Sequence, residues 1–346
     1  MHKSKAAFIK GLREAVVEEI ELPDPGEGEV LVRVRRCGIC GSDLHMFLGR
    51  WGPPKKAPGH EIAGEVLSVG PGVEGLEPGQ AVCVEPMLPC WECEACRRGE
   101  TNRCPNRQFM SAHTHGGFSE LMVTPAYALY TLPENVSLDQ GALIEPLTVS
   151  GRGVRLAAVG PEDEVLVIGG GTIGLAAIAA AKAYGARTIL CSAKYEHQAE
   201  MALRVGADAV VEVDPEKLPD RVREQTDGGA DVAIETVGGT VDTVTPAAKS
   251  LKNGGRLVLL GAFPQPLEVE LGPIVYREIT VLGSQCYGVT NGMRDYRHSL
   301  DLVASGKVDL APLITHRFGL DDIQRAMETA LEKSTGAIKV MVEPAP

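Results

Sequence analysis

Apolar and basic residues alternate with period two from Val30 to Arg35, the signature of a strand with one buried face, and short apolar runs recur at Glu61 to Val69 and Gln80 to Val84. Gly and Pro clusters separate these runs at Pro23 to Gly28, Gly52 to Pro54 and Gly70 to Gly75, where turns are expected. The chain is therefore predicted to be mostly β, with long loops, up to about residue 150. Beyond Val159-Gly160-Pro161 the pattern changes. Glu164 to Ile168 predicts a compact strand, the Ala-rich stretch Thr172 to Tyr184 a helix, and Arg187 to Ser192 a second strand, which together make a βαβ unit. Strand signals at Ala207 to Val213, Asp231 to Glu235, Arg256 to Gly261 and Ile279 to Gly283 alternate with helix-like segments and predict a doubly wound parallel sheet. Amphipathic helices at Met293 to Ser305 and Leu320 to Glu332, then a strand at Ala337 to Val342, read as a tail returning to the first domain.

Composition narrows the class. A chain of 346 residues suits two domains, and 44% hydrophobic with 23% charged residues lies near the globular average. The formal charge of -12 and the absence of basic runs longer than a pair argue against nucleic acid or an anionic membrane surface as partner. The most apolar stretch, Val165 to Ala181, is broken by glycines and reads as strand, turn and helix rather than a membrane span. Met1 to Leu12 lacks the apolar segment of a secretory signal, so a cytoplasmic location is expected. Nine cysteines in such a compartment point to metal before disulfides.

Three groups of residues carry chemistry. Cys90, Cys93, Cys96 and Cys104 place four thiols within fifteen residues, a spacing that lets one loop wrap a tetrahedral Zn2+ with no open position, so this site is expected to be structural. A more dispersed set comprises Cys40 in Cys37-Gly-Ile-Cys40-Gly-Ser42-Asp-Leu-His45, His60-Glu61 in Gly59-His60-Glu61, and Glu145 in Glu145-Pro146-Leu147. Thiolate, imidazole and carboxylate together suit a zinc ion that exchanges one ligand for water or substrate. Third, Gly169-Gly-Gly171-Thr172-Ile173-Gly174 follows a strand and opens a helix, where glycines allow the tight turn and let a pyrophosphate approach the helix N-terminus.

With these groups in this order, the chain resembles the zinc-dependent medium-chain dehydrogenases/reductases of the alcohol and polyol (sorbitol) dehydrogenase type, over essentially its whole length. The resemblance implies an α/β protein in which a GroES-like, mostly-β catalytic domain, residues 1–151 and 288–346, embraces a Rossmann domain with a doubly wound parallel sheet, residues 152–287. It implies that Cys40, His60 and either Glu61 or Glu145 hold a catalytic zinc, and that Ser42 and His45 form a proton relay through the cofactor ribose. The implied reaction interconverts a secondary alcohol or polyol and its ketone: the ion acidifies the alcohol, and hydride passes to a nicotinamide. Homo-dimers or homo-tetramers are the usual assembly. The loop Phe109 to His115, with His113, is expected to border the pocket. Where sorbitol-active members tend to carry an Arg-Tyr pair, this chain reads Gln285-Cys286-Tyr287, which points away from sorbitol itself. The competing readings are a zinc-free quinone or enoyl reductase on the same fold and a non-catalytic NADPH-binding protein.

The dinucleotide is read from the residues after the second Rossmann strand. NAD enzymes place an acid there, about 20 residues past the glycine turn, to bind the ribose 2'-hydroxyl. Ala193 stands at that position, within Ser192-Ala193-Lys194-Tyr195. Lys194 would attract a 2'-phosphate and Ser192 would donate a hydrogen bond to it, which predicts a preference for NADP(H), with NAD(H) as the alternative.

Overall fold

The alternation around Val30 becomes strand Glu29–Gly38, in which Val30, Val32 and Val34 are buried. The computed structural model describes residues 1–111 and 114–345. Strand Glu29–Gly38 pairs antiparallel with Glu61–Val69, Leu121–Pro125 and Lys339–Glu343. The sheet continues through Ala81–Val84 to Leu129–Thr131 on one side and ends at Ile314–Gly319 on the other. An N-terminal hairpin, His2–Gly11 with Glu14–Leu22, and helix Ile323–Leu331 complete this unit. Phe47, Ile62, Met110, Phe118 and Met327 lie in its core.

The second unit holds six parallel strands in the order Ala209–Val211, Thr188–Ser192, Glu164–Ile168, Ala230–Glu235, Leu251–Leu259, Thr280–Gly283. Numbered along the chain this is 3-2-1-4-5-6, the Rossmann order, and every residue of Glu164–Ile168 is buried, as a central parallel strand requires.

The two compact units comprise Met1–Glu145 with Ala311–Pro346, and Pro146–Leu310. These divisions differ from the expected 151/152 and 287/288. Helix Ile144–Leu156 runs across the first expected boundary, and its Arg152 and Arg155 both pair with Asp295, at 2.7 and 2.8 Å. Arg152 also donates to Thr290 Oγ1 at 2.8 Å, so residues 288–310 join the second unit and only the last part of the tail returns to the first. Turn signals mark where a chain bends; they do not show which core a long-range ion pair attaches it to.

Candidate active site

Helix Gly41–Phe47 starts after Cys40, and Asp43 in its first turn is completely buried. One Asp43 oxygen accepts the Cys40 backbone N–H at 2.9 Å, and the other stands 3.9 Å from Nδ1 of His60. Burial alone would push the His60 imidazole down, but Cys40, Asp43 and Glu145 outweigh it and raise its pKa well above the ordinary value. The structure thus brings Cys40, His60 and Glu145 into one electronegative neighbourhood. It is looser than the cluster of four thiols, which alone among the described residues brings three or more such ligand atoms within 4.8 Å of one another. His60 Nδ1, Asp43 Oδ1 and Ser42 Oγ are buried atoms with no hydrogen-bond partner among the described residues. A thiol, an imidazole and a carboxylate around unsatisfied buried atoms form a donor set that fits Zn2+.

Glu61 faces elsewhere. Both of its oxygens lie 2.7 Å from Nζ of Lys339, which also donates to the carbonyl of Ile39 at 2.8 Å. Both side chains are buried, and Glu61 outweighs the effect of burial on Lys339, raising its pKa so that the ammonium stays charged. Gly38 makes this arrangement possible, since a Cβ there would sit 1.9 Å from Glu61 Oε2. Neither Asp43 nor Lys339 was expected from the sequence. Asp43 sits three residues from Cys40, in the first turn of the helix where an acid is a local signal, whereas Lys339 lies 278 residues from Glu61 and leaves none.

His45 lies in the last turn of helix Gly41–Phe47 with its ring centroid 5.0 Å from that of Trp51; burial, then the charge of Arg50, lowers its pKa. Phe109 packs edge-on against His60 at 5.4 Å. His115 accepts the Ala57 N–H through Nδ1 at 3.3 Å, while His113 lies outside the described residues.

The four thiols form a separate cluster in the same unit. Sγ of Cys90 and Cys104 are 3.5 Å apart, close to the roughly 3.8 Å edge of a tetrahedron with 2.3 Å Zn–S bonds. Backbone N–H groups face the sulfurs: Cys90 N donates to Cys104 Sγ at 3.5 Å and Cys96 N to Cys93 Sγ at 3.4 Å. The N–H groups of Glu92 and Cys93 lower the Cys90 pKa to about 6, which favours a thiolate at neutral pH. Trp91, at φ +60°, holds the non-glycine left-handed turn inside this loop.

In the second unit Gly169 adopts φ +108° and donates its N–H to the Ser192 carbonyl at 2.9 Å. A Cβ on Gly174 would fall 1.8 Å from the Gly169 carbonyl, so the glycine is required for helix Thr172–Ala183 to lie against the turn. Gly171 caps that helix with no side-chain hydrogen bond, and the Ile173 carbonyl is taken by Ser150 Oγ at 2.8 Å. Ala193 lies directly beside the turn: a Cβ on Gly170 would be 2.9 Å from its own. Ser192 is buried at the strand end, whereas Lys194 and Tyr195 are exposed, with Lys194 Nζ 5.6 Å from the Tyr195 ring centroid. Sequence reading overlooked Glu235, a buried carboxylate whose Oε1 accepts the N–H groups of Val237 at 2.8 Å and Gly238 at 2.9 Å and the Thr243 hydroxyl at 2.8 Å. Beside it, Thr236 Oγ1 donates to the Ile168 carbonyl at 2.7 Å, tying this loop to the glycine turn.

Comparison with known proteins matches residues 26–134 to the alcohol dehydrogenase GroES-like domain and residues 172–305 to the zinc-binding dehydrogenase domain. The chain is 35% identical to L-threonine 3-dehydrogenase of Pyrococcus furiosus, covering 99% of this chain and 100% of that one. It is 36% identical to sorbitol dehydrogenase of Arabidopsis thaliana, covering 98% and 95%. A structure from Sinorhizobium meliloti 1021, described as a zinc-binding dehydrogenase and solved with NADP, superposes with a TM-score of 0.89 at 31% identity over 99% of this chain and 100% of that one.

Proposed function

Because the chain belongs to the zinc-dependent medium-chain alcohol and polyol dehydrogenase family, we propose that it oxidises a secondary alcohol or polyol to its ketone, or reduces the ketone, with NADP(H). The observation that carries this is the gathering of Cys40, Asp43 and Glu145 around the buried His60, next to a Ser42 hydroxyl with no partner among the described residues.

Cys40, His60 and Glu145 would hold the catalytic zinc, since Glu61 is engaged by Lys339. Bound there, zinc supplies Lewis acidity to the substrate oxygen, and the dinucleotide supplies a hydride acceptor. The protein does the rest. Asp43 orients the imidazole of His60, as second-sphere carboxylates do for ligating histidines. Ser42 Oγ receives the hydroxyl proton, and His45, whose lowered pKa keeps it neutral near pH 7, is free to accept it in turn. The glycine turn and the N-terminus of helix Thr172–Ala183 would hold the pyrophosphate, with Lys194 and Tyr195 near the adenosine ribose. None of the nine cysteines is in a disulfide among the described residues, and no helix among them is long and apolar enough to cross a membrane; a cytoplasmic location is part of this reading. A homo-oligomer is supported by the edge strand Thr280–Gly283, where Val281 and the nearby Leu271, Val275 and Tyr276 are exposed.

Metal-replete protein assayed against secondary alcohols, polyols and ketones with both dinucleotides tests the reading; no turnover with any of them would refute it. In the same assay Ser42→Ala should retain metal and dinucleotide but lose about 10²-fold or more in kcat, and near-normal turnover would remove Ser42 from the mechanism.

The second zinc is assigned to the four thiols, giving two per chain. Cys93→Ser should leave one zinc and lower the thermal midpoint by about 5 °C or more, because a structural metal contributes directly to folding. Calorimetry with elemental analysis checks this, and lost turnover at an unchanged midpoint would contradict a structural role.

A further inference from the structure

From Leu44 to His60 the chain contains no Asp or Glu, and its lysines and arginines there are Arg50, Lys55 and Lys56, a local charge of +3 (His neutral) in a chain of net -12. None of the three forms an ion pair or a side-chain hydrogen bond among the described residues. Arg50 and Lys55 are exposed and Lys56 is half-buried.

This loop is fastened to the site at both ends. The N–H groups of Arg50 and Trp51 donate to the His45 carbonyl at 3.0 and 3.4 Å, and the Trp51 indole lies against the His45 ring while remaining 39% exposed. At the other end Ala57 donates to His115 Nδ1 at 3.3 Å and accepts the Gly116 N–H at 2.8 Å, three residues before His60. The cations are near enough to be felt there. After burial, the charge of Arg50 lowers the His45 pKa, and that of Lys56 lowers the His115 pKa. The interior of the site is acidic by contrast, with Asp43 and Glu145 beside His60 while Glu61 is already paired with Lys339, so an anion is favoured only where fixed positive charge lies beside it.

We propose that the Arg50–Lys56 loop recognises the substrate, and that the substrate is an alcohol carrying an anionic group, carboxylate or phosphate, on the carbon chain that bears the reacting hydroxyl. Arg50, Lys55 and Lys56 supply the charge, and the exposed face of Trp51 packs against the carbon chain between the anion and the hydroxyl. Arg and Lys suit both oxyanions, with Arg matching the planar carboxylate and Lys acting as a point charge toward phosphate. The proposal rests on the dehydrogenase reading above and adds the substrate class.

The test compares neutral polyols with the hydroxy acids and polyol phosphates of the same carbon skeleton, in the wild type and in an Arg50→Gln, Lys55→Gln, Lys56→Gln variant, with circular dichroism as a check on folding. Single variants of Arg50 and Lys56 stand in if the triple variant is unstable. The wild type should favour the anionic member of a pair by about tenfold or more in kcat/KM, mostly through KM. That advantage should shrink with added KCl and fall about tenfold in the triple variant. Whether hydroxy acids or phosphates show it identifies the anion. Turnover of neutral alcohols with no anionic preference, or with the same preference in the variant, overturns this proposal and leaves the dehydrogenase reading standing. No turnover of any alcohol overturns both. NADPH titrated by fluorescence gives a readout independent of activity: weaker dinucleotide binding in the variant, at an unchanged substrate ratio, would assign the cations to the cofactor and overturn the proposal.

Discussion

Cys40→Ser or His60→Ala should reduce kcat/KM by about 10³-fold or more while leaving the dinucleotide bound with nearly normal affinity. The size follows from the several kcal/mol of charge stabilisation that a metal supplies in this chemistry. The separation follows from the fold: Cys40 and His60 belong to the first unit, whereas the glycine turn and strand Thr188–Ser192 belong to the second. The two acids should behave differently. Glu145→Gln removes a carboxylate that faces His60, and is expected to lower zinc content to about one ion per chain. Glu61→Gln leaves the Lys339 ammonium buried and unpaired, so it should cost about 3–5 kcal/mol of stability while zinc is retained. Zinc analysis and thermal melts of the four variants, with dinucleotide titrations, decide the matter. Zinc lost from Glu61→Gln and kept in Glu145→Gln would reverse the assignment of the carboxylate ligand.

Ala193→Asp combined with Lys194→Ala should shift the ratio of kcat/KM for NADPH over NADH by about 10²-fold toward NADH. Ala193 abuts the glycine turn, and a carboxylate at that position is suited to the ribose 2'-hydroxyl and would repel a 2'-phosphate. Lys194, exposed above Tyr195 and without an ion-pair partner among the described residues, is the cation the phosphate would meet. Removing attraction and adding repulsion act in the same direction, each worth about tenfold. Steady-state kinetics with both dinucleotides measures the ratio, and a double variant that keeps the wild-type value would show that these residues do not read the 2' position.

Much of this was legible along the chain because its causes are local. Strand Glu164–Ile168, the glycine turn and helix Thr172–Ala183 follow from periodicity and from backbone shapes that only glycine tolerates, and the four thiols lie within one loop. Strand ends were less sharp. Leu251–Leu259 begins five residues before the predicted Arg256: Leu251 pairs with Ala230, and the register then shifts so that Arg256 is the next residue to pair, with Val232, leaving the apolar-poor Asn253, Gly254 and Gly255 in an irregularity that no periodicity announces.

The sequence by itself determined the two-domain class, the Rossmann unit, the thiol cluster and the residue types available for a catalytic metal, because each of these is written in spacings of a few residues. Only the tertiary structure decided which carboxylate faces His60. It buried Lys339 against Glu61 across 278 positions, and it attached residues 288–310 to the second unit through Arg152, Arg155 and Asp295. Those outcomes depend on which charges are driven together when water is excluded, and a buried ammonium must find its carboxylate wherever the chain brings one.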